Sequence, residues 1–364
     1  MKSPSHSSRV VAEGLNNPRG ITIDAHGALY VAEAGTGGSE SDSCFVASAG
    51  AYVCPGDTSS ITRVTSSRRG WHQQRVVTGL PSLAPPSGVE GAGIEASGVS
   101  DVLVNGRHYV AVVGFGAGCE DVASGPAASC DPWAEHDLSR LFGTLITGTW
   151  GSHRAPHVVA NLAKYEYRTN PIDGPDSNPA SLVRDRGSYM VADAGANMVV
   201  RVGPWNRIRA LATFADVEVQ NPFAPEGVMT PMQFVPTSAV RGPDGALYVS
   251  QLTGFPFPQG GSTIWRIRSG HAPTAYATGL TNVTDLAFAR DGSLYAVEIS
   301  TAGLLSGDTT GALVRIPRRG GTATVVAGNL PAPYGVALQG RHAYVTVNSS
   351  SPGDGAVVEV SLRR

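Results

Sequence analysis

HGALYVAEAG (26–35) reads as a tight turn running into a strand: a glycine able to take positive φ, then apolar and β-branched residues around one tyrosine. The unit returns as NGRHYVAVVG (105–114), RGSYMVADAG (186–195), DGALYVSQLTG (244–254), DGSLYAVEIS (291–300) and GRHAYVTVNS (340–349). Repetition at this spacing is the mark of a repeat architecture. Each unit follows a short apolar strand: PRGITID (18–24), GVSDVLV (98–104), NPASLVR (178–184), PTSAVRG (236–242), VTDLAFA (283–289) and YGVALQ (334–339). A third strand comes after it: ITRV (61–64), GTLITG (143–148), MVVRV (198–202), TIWRI (263–267), ALVRI (312–316) and AVVEV (356–360).

Five units then carry a fourth strand, RVVTGL (75–80), HVVANL (157–162), IRALATF (208–214), TAYATGL (274–280) and TVVAGNL (324–330), and the sixth does not. The missing piece stands at the other end of the chain, where RVVAEGL (9–15) closely matches RVVTGL. The pattern predicts an all-β, six-bladed β-propeller of four-stranded antiparallel blades, its last blade closed by the N-terminal strand. Closure removes an exposed sheet edge. Residues 9–364 are read as this single domain, and 1–8 as a disordered or tag-like N-terminus.

Composition agrees. The 45 glycines and 25 prolines of the 364 residues are spread along the chain, as a turn-rich all-β protein requires. A net charge of −2 gives no electrostatic support to a nucleic-acid partner or an anionic membrane. No apolar run approaches the roughly 18 residues that span a bilayer. The expected partner is a small molecule, and the expected state a monomer.

Four cysteines fall in two pairs, Cys44 with Cys54 and Cys119 with Cys130, each within one Gly/Ser/Pro-rich loop. Two local disulfides are the simplest of the three connectivities, with four free thiols as the alternative. Disulfides favour an oxidising compartment, hence secretion with the signal removed over a cytoplasmic location.

In a propeller the innermost strands line a central channel, and the long connections gather on one face. Here they are 34–60, 81–97, 114–141, 163–177, 216–235 and 299–310. Long loops persist for binding or lid roles, and Phe255, Phe257 and Trp133 give these loops material for a pocket wall. Second strands end on this face with Glu33, Asp193, Gln251, Glu298 and Asn348; first strands begin with Arg19, Asp101, Asn178, Thr237, Asp285 and Tyr334. Glu33, Asp193 and Glu298 are the candidate general acids and bases, and Arg19, Asp101, Asn178, Gln251, Phe255, Phe257, Asp285, Tyr334, Asn348 and Trp133 the candidate ligand contacts. Carboxylates converging on an axis repel. They could share a proton, pair with Arg19, or hold a hard cation such as Ca²⁺, with a water-filled polar channel without chemistry as the alternative. Other chemistry is missing: there is no G-x-S-x-G elbow, P-loop or G-x-G-x-x-G. His153 and His157 read as surface residues, and DGPDSN (173–178) as a turn.

At GLNNPRGITID (14–24), VVTGLPSLAP (76–85), MQFVPTSAV (232–240), GALYVSQLTGFPFPQGG (245–261) and TNVTDLAFARDGSLYAVEI (281–299), the sequence resembles the ScyD/ScyE family of NHL-like propellers, named from gene clusters for the pigment scytonemin. The resemblance implies a six-bladed propeller; family context together with the convergent carboxylates makes the first expectation an enzyme of secondary-metabolite biosynthesis, acting by acid–base cyclisation or condensation of an aromatic or polyketide-like intermediate. It brings no catalytic residues to carry over. The long insertion at 116–140 departs from the family pattern. Related lactonase-type propellers hold calcium in the channel, so a Ca-dependent lactonase or esterase is the runner-up, and a non-catalytic secreted binding module the third reading.

Overall fold

The computed structural model describes residues 8–41, 43–47, 50–117, 139–152, 154–169 and 176–362. Six four-stranded antiparallel sheets follow one another along the chain. Their innermost strands are Pro18–Ile23, Val99–Asn105, Pro179–Asp185, Ala239–Arg241, Val283–Phe288 and Val336–Gln339. Each touches the next, and the sixth touches the first, so the ring is closed. Blade 6 is completed by Ser8–Leu15, which pairs antiparallel with Gly355–Ser361, Arg9 opposite Glu359 and Leu15 opposite Gly355. The six-bladed propeller read from the sequence is the fold observed.

Small hydroxyl groups stitch the blades together around the channel. Ser59 Oγ accepts from Val99 N (3.3 Å), and Ser100 Oγ donates to Pro179 O. Ala239 N donates to Ser181 Oγ (3.2 Å), and Thr237 Oγ1 to Val283 O (2.8 Å). Thr284 Oγ1 reaches Tyr334 O (2.7 Å), and Thr346 Oγ1 reaches Arg19 O (2.8 Å). Every junction between neighbouring blades thus has a buried hydroxyl that satisfies a backbone group of the next.

The recurrent tyrosine has a structural task at the hairpin turns. In blade 4, Asp244 accepts from Ala246 N (3.0 Å), Tyr248 Oη (3.2 Å) and Arg266 Nε (2.9 Å). Blade 1 repeats the arrangement, Asp24 accepting from His26 N (2.8 Å), Ala28 N (2.9 Å) and Tyr30 Oη (3.3 Å). The Asp closes the turn, the Tyr anchors it to the second strand, and the third-strand Arg neutralises it. Burial works to raise the pKa of Asp244, but hydrogen bonds from Arg266 and Ala246 outweigh it and the pKa is lowered. A lowered carboxyl pKa stabilises the fold above the ordinary value, and that contribution is lost as pH falls through the folded one. Asp244→Ala is therefore expected to cost about 1 kcal/mol at pH 7, read from urea midpoints. The difference from wild type should shrink in acid; an equal deficit at pH 7 and pH 3 would contradict it.

Several stretches read as loops carry structure. Blade 1 extends into a long hairpin, Tyr52–Ser67 with Gly70–Ala84, beside which the short strand Phe45–Val46 pairs. Residues 217–232 contain a second hairpin, Val217–Gln220 with Met229–Met232. A helix, Leu162–Thr169, leaves blade 2. The disulfide Cys44–Cys54 forms as expected and fixes the base of the blade 1 extension. Cys119, Cys130, Trp133 and His153 lie outside the described residues, as do the first three residues of DGPDSN.

Candidate binding site at the channel mouth

The first residue that each inner strand presents at the mouth is, in blade order, Arg19, Ser100, Ala180, Thr237, Thr284 and Tyr334, and all six line one cavity of about 230 Å³. Segment 95–98 crosses one side, with Arg19 Nη2 donating to Ala96 O (3.0 Å). Leu252, Ile299 and Leu304 supply an apolar wall opposite. The Arg19 guanidinium lies over the Tyr334 ring, 5.1 Å from its centroid. Burial lowers the pKa of Arg19, although Tyr334 and Glu95 both pull the other way. Burial likewise raises that of Tyr334.

One residue deeper, the same six strands carry Gly20, Asp101, Ser181, Ser238, Asp285 and Gly335. Asp101 and Asp285 belong to blades 2 and 5, which face each other across the ring. Asp101 Oδ2 accepts from Leu182 N of blade 3 (2.8 Å) and Oδ1 from Val102 N (2.8 Å). Asp285 accepts from Ser238 Oγ (2.8 Å), Leu286 N (2.8 Å) and Val336 N (2.8 Å), joining blades 4, 5 and 6. Gly20 must be glycine because a Cβ there would collide with the Asp101 carboxyl. Burial first, and then the Asp285 charge, push Asp101 up to about 8. Burial pushes Asp285 to about 6, against three hydrogen bonds that hold it down. These directions make Asp101 the member of the pair that holds its proton more tightly.

The second-strand carboxylates sit apart from the mouth cavity, each in hydrogen bonds to backbone or side-chain donors. Glu33, Asp193 and Glu298 are buried, and none of them lines the mouth cavity. Glu33 is closed by Arg75 (Nη2 2.7 Å, Nε 3.1 Å), Ser60 Oγ (2.9 Å) and Asn16 N (2.7 Å). Asp193 accepts from Ser177 Oγ (2.6 Å), Asn178 N (2.7 Å) and Ala196 N (3.2 Å). Glu298 accepts from Thr281 N (2.7 Å). All three carboxylates hold the backbone just before an inner strand, at Asn16, Asn178 and Thr281. They fasten the crossover from one blade to the next. Burial raises the pKa of Asp193 and of Glu298.

Of the expected ligand contacts, Arg19, Asn178 and Tyr334 line the cavity, and Asp101 and Asp285 lie beneath it. Asn178 Oδ1 accepts from Phe115 N (3.3 Å), which ties it to blade 2. Gln251 is buried against Trp265 Nε1 (3.3 Å), and Asn348 Nδ2 donates to Asp354 O (2.9 Å). Neither lines the cavity, nor do Phe255 and Phe257. Phe255 stacks instead on the exposed Phe223 of the 217–232 hairpin, ring centroids 6.0 Å apart. Sequence reasoning missed Glu95, whose one signal was a lone carboxylate in the glycine-rich run GAGIEASG (91–98) just before an inner strand.

Among the described residues no three His, Cys, Asp or Glu side chains come together to hold a metal ion. Glu33, one of the carboxylates expected to hold a channel calcium, is occupied by Arg75. A larger cavity of about 480 Å³ opens between the outer strands of blades 1 and 2, but no carboxylate or histidine lines it. The mouth cavity is lined by three titratable groups, Arg19, Glu95 and Tyr334.

No protein-family model matches the sequence, and no curated protein does. Solved structures share its fold. A Thermus thermophilus protein assigned as a glucose dehydrogenase is 14% identical, with a TM-score of 0.53 over 98% of this chain and 100% of that one. The PQQ-bound aldose sugar dehydrogenase of Streptomyces coelicolor is 12% identical, with a TM-score of 0.50 over 99% of each chain. A Bacteroides thetaiotaomicron protein of unknown function is 9% identical, with a TM-score of 0.51 over 98% of this chain and 76% of that one. At such identities the likeness speaks to fold alone.

Proposed function

We propose that this propeller binds a small molecule at its channel mouth and moves a proton on it, with Asp101 and Asp285 as the acid–base pair and Arg19 and Tyr334 orienting the ligand. The observation that carries the reading is the placement of Arg19 and Tyr334 on the wall of the mouth cavity with Asp101 and Asp285 one residue deeper on the inner strands, four titratable side chains from blades 1, 2, 5 and 6. A carboxyl held near neutrality can both give and take a proton at physiological pH. The role assigned from sequence to Glu33, Asp193 and Glu298 passes to this pair. The resemblance to ScyD/ScyE proteins suggests an aromatic or polyketide-like intermediate undergoing cyclisation or condensation, which requires such a proton transfer.

The test is deuterium incorporation from D₂O into a panel of aryl ketones and β-diketones, followed by NMR. Asp101→Asn and Asp285→Asn are each expected to slow exchange by about 10²-fold or more while ligand binding persists. If a compound binds the mouth and exchanges equally fast in both variants, or not at all even with wild type, the propeller is a binding module. That alternative has its own support: Ser100, Thr237 and Thr284 all direct their hydroxyl hydrogens into inter-blade bonds.

A further inference from the structure

Arg19 stands apart from the other arginines that approach the ring's carboxylates. Arg75, Arg241, Arg266 and Arg315 each reach an Asp or Glu, at 2.7 Å for Arg75 and Arg241 and 3.2 Å for Arg315. Among the described residues no carboxylate oxygen comes within 4.0 Å of the Arg19 guanidinium. Among the described residues its one hydrogen bond goes to Ala96 O, and its face rests on Tyr334. Five N–H donors on a planar fork are thus largely unused at the wall of a cavity. A half-buried cation without a counter-ion is costly to keep.

The surroundings favour an anion there. Glu95, exposed at the rim, attracts Arg19 only from a distance. The Ser100, Thr237 and Thr284 hydroxyls donate to backbone carbonyls, which leaves Arg19, the Tyr334 and Ser97 hydroxyls and the Asn178 amide as side-chain donors on the lining, Arg19 alone among them charged. Opposite them lie Val235, Leu252 and Leu304. About 230 Å³ is the share of liquid volume of roughly eight waters, enough for one ring with a short substituent.

Resting on the reading of the mouth as a small-molecule site, we propose that its ligand is a small aromatic or similarly planar monocarboxylate: the carboxylate is held by the Arg19 fork and the Tyr334 hydroxyl, and the apolar body packs against Val235, Leu252 and Leu304. A fork matches two carboxylate oxygens in one plane, which a point-charge ammonium does not. The proton-transfer pair then lies beneath the bound group, toward the axis.

Calorimetry with benzoate, benzamide and benzylamine on the intact protein tests this. Benzoate is expected to bind at least 10-fold tighter than benzamide, and benzylamine weakest. Arg19→Gln should weaken benzoate by about 10- to 100-fold and leave benzamide unchanged, the size expected for charge-assisted hydrogen bonds. Arg19→Lys should recover only part of the loss, and Glu95→Gln should tighten benzoate a few-fold by removing the competing charge. Far-UV circular dichroism and the thermal midpoint check that each variant is folded, and Glu95→Gln keeps the proposal testable if the Arg19 variants are not. If benzamide matches benzoate at the mouth and Arg19→Gln changes neither, the carboxylate assignment falls while the mouth remains a binding site. If none of the three, nor any of the ketones and diketones, perturbs the NMR signals of mouth residues, the site reading falls and this inference with it.

Discussion

Deleting residues 8–15 is expected to leave a chain that no longer folds into a ring. This segment supplies the outer strand of blade 6, pairing with Gly355–Ser361 from Ser8 opposite Val360 to Leu15 opposite Gly355. Val11, Ala12 and Leu15 are buried in a cluster with Ile21, Leu29 and Val31 of blade 1 and Ala337, Tyr344 and Val357 of blade 6. Burial of a Val or Leu side chain is worth about 1.5–3 kcal/mol. Arg75 Nη2 also donates to Gly14 O (2.9 Å), and Gln73 exchanges hydrogen bonds with the Glu13 backbone (2.9 and 2.6 Å). Together these approach the 5–15 kcal/mol total stability of an ordinary domain. Deletion also bares the edge of Gly355–Ser361, a ready template for aggregation. Circular dichroism and gel filtration should show a molten or aggregated product. Leu15→Asp, which forces a charge into the same cluster, should lose several kcal/mol by denaturant titration. A cooperative melt at the wild-type midpoint in the deletion variant would show that closure is not what holds the ring.

How far the sequence disclosed all this follows from what one residue can signal. The tyrosine unit was legible because a turn Asp or Gly, a strand and a third-strand Arg recur together in several blades, and the Asp24–Tyr30 and Asp244–Tyr248–Arg266 contacts are the reason they do. Closure was legible because two fourth strands facing similar neighbours keep similar residues, RVVAEGL (9–15) and RVVTGL (75–80). The site was half legible. Arg19, Asp101, Asp285 and Tyr334 could be placed at the axis because inner strands line channels. Glu33 looked equivalent to them. Its partner Arg75 is 42 positions away on an outer strand, and nothing local announces that pairing. Side chains on a strand alternate between opposite faces. The spacing of carboxylates along the chain therefore cannot tell one that faces the axis from one that grips a backbone amide. The 217–232 hairpin hid for a similar reason: Val217, Val228 and Met229 are largely exposed, so its strands lack the buried face that makes a strand visible in a sequence.

The acid pair should also write itself into stability. Asp101 has a folded pKa of about 8, well above the value of about 4 for a free aspartate in the unfolded chain. The folded state therefore binds the proton more tightly, and stability falls as pH rises from about 4 through about 8. Four pKa units correspond to at most roughly 5 kcal/mol, an upper bound because water reaching the channel will screen the charge. Asp285, at about 6, adds to the same slope over the lower part of the window, and Glu166, pushed up to about 9 by burial and by Asp193 and Asp176, extends it upward. Asp101→Asn removes one titration from that sum. Asn keeps an acceptor for one of the two amides, Val102 N or Leu182 N, and loses the other, so the variant should be about 1 kcal/mol less stable at pH 5. Between pH 6 and 9 wild type should lose several kcal/mol while the variant loses distinctly less, and the two curves should cross. Urea titrations at pH 5, 7 and 9 provide the measurement, with Glu166→Gln as the control for the upper limb. Parallel curves would mean that Asp101 is ionised throughout, with an ordinary pKa, and the proton on which the proposed chemistry depends would be lost.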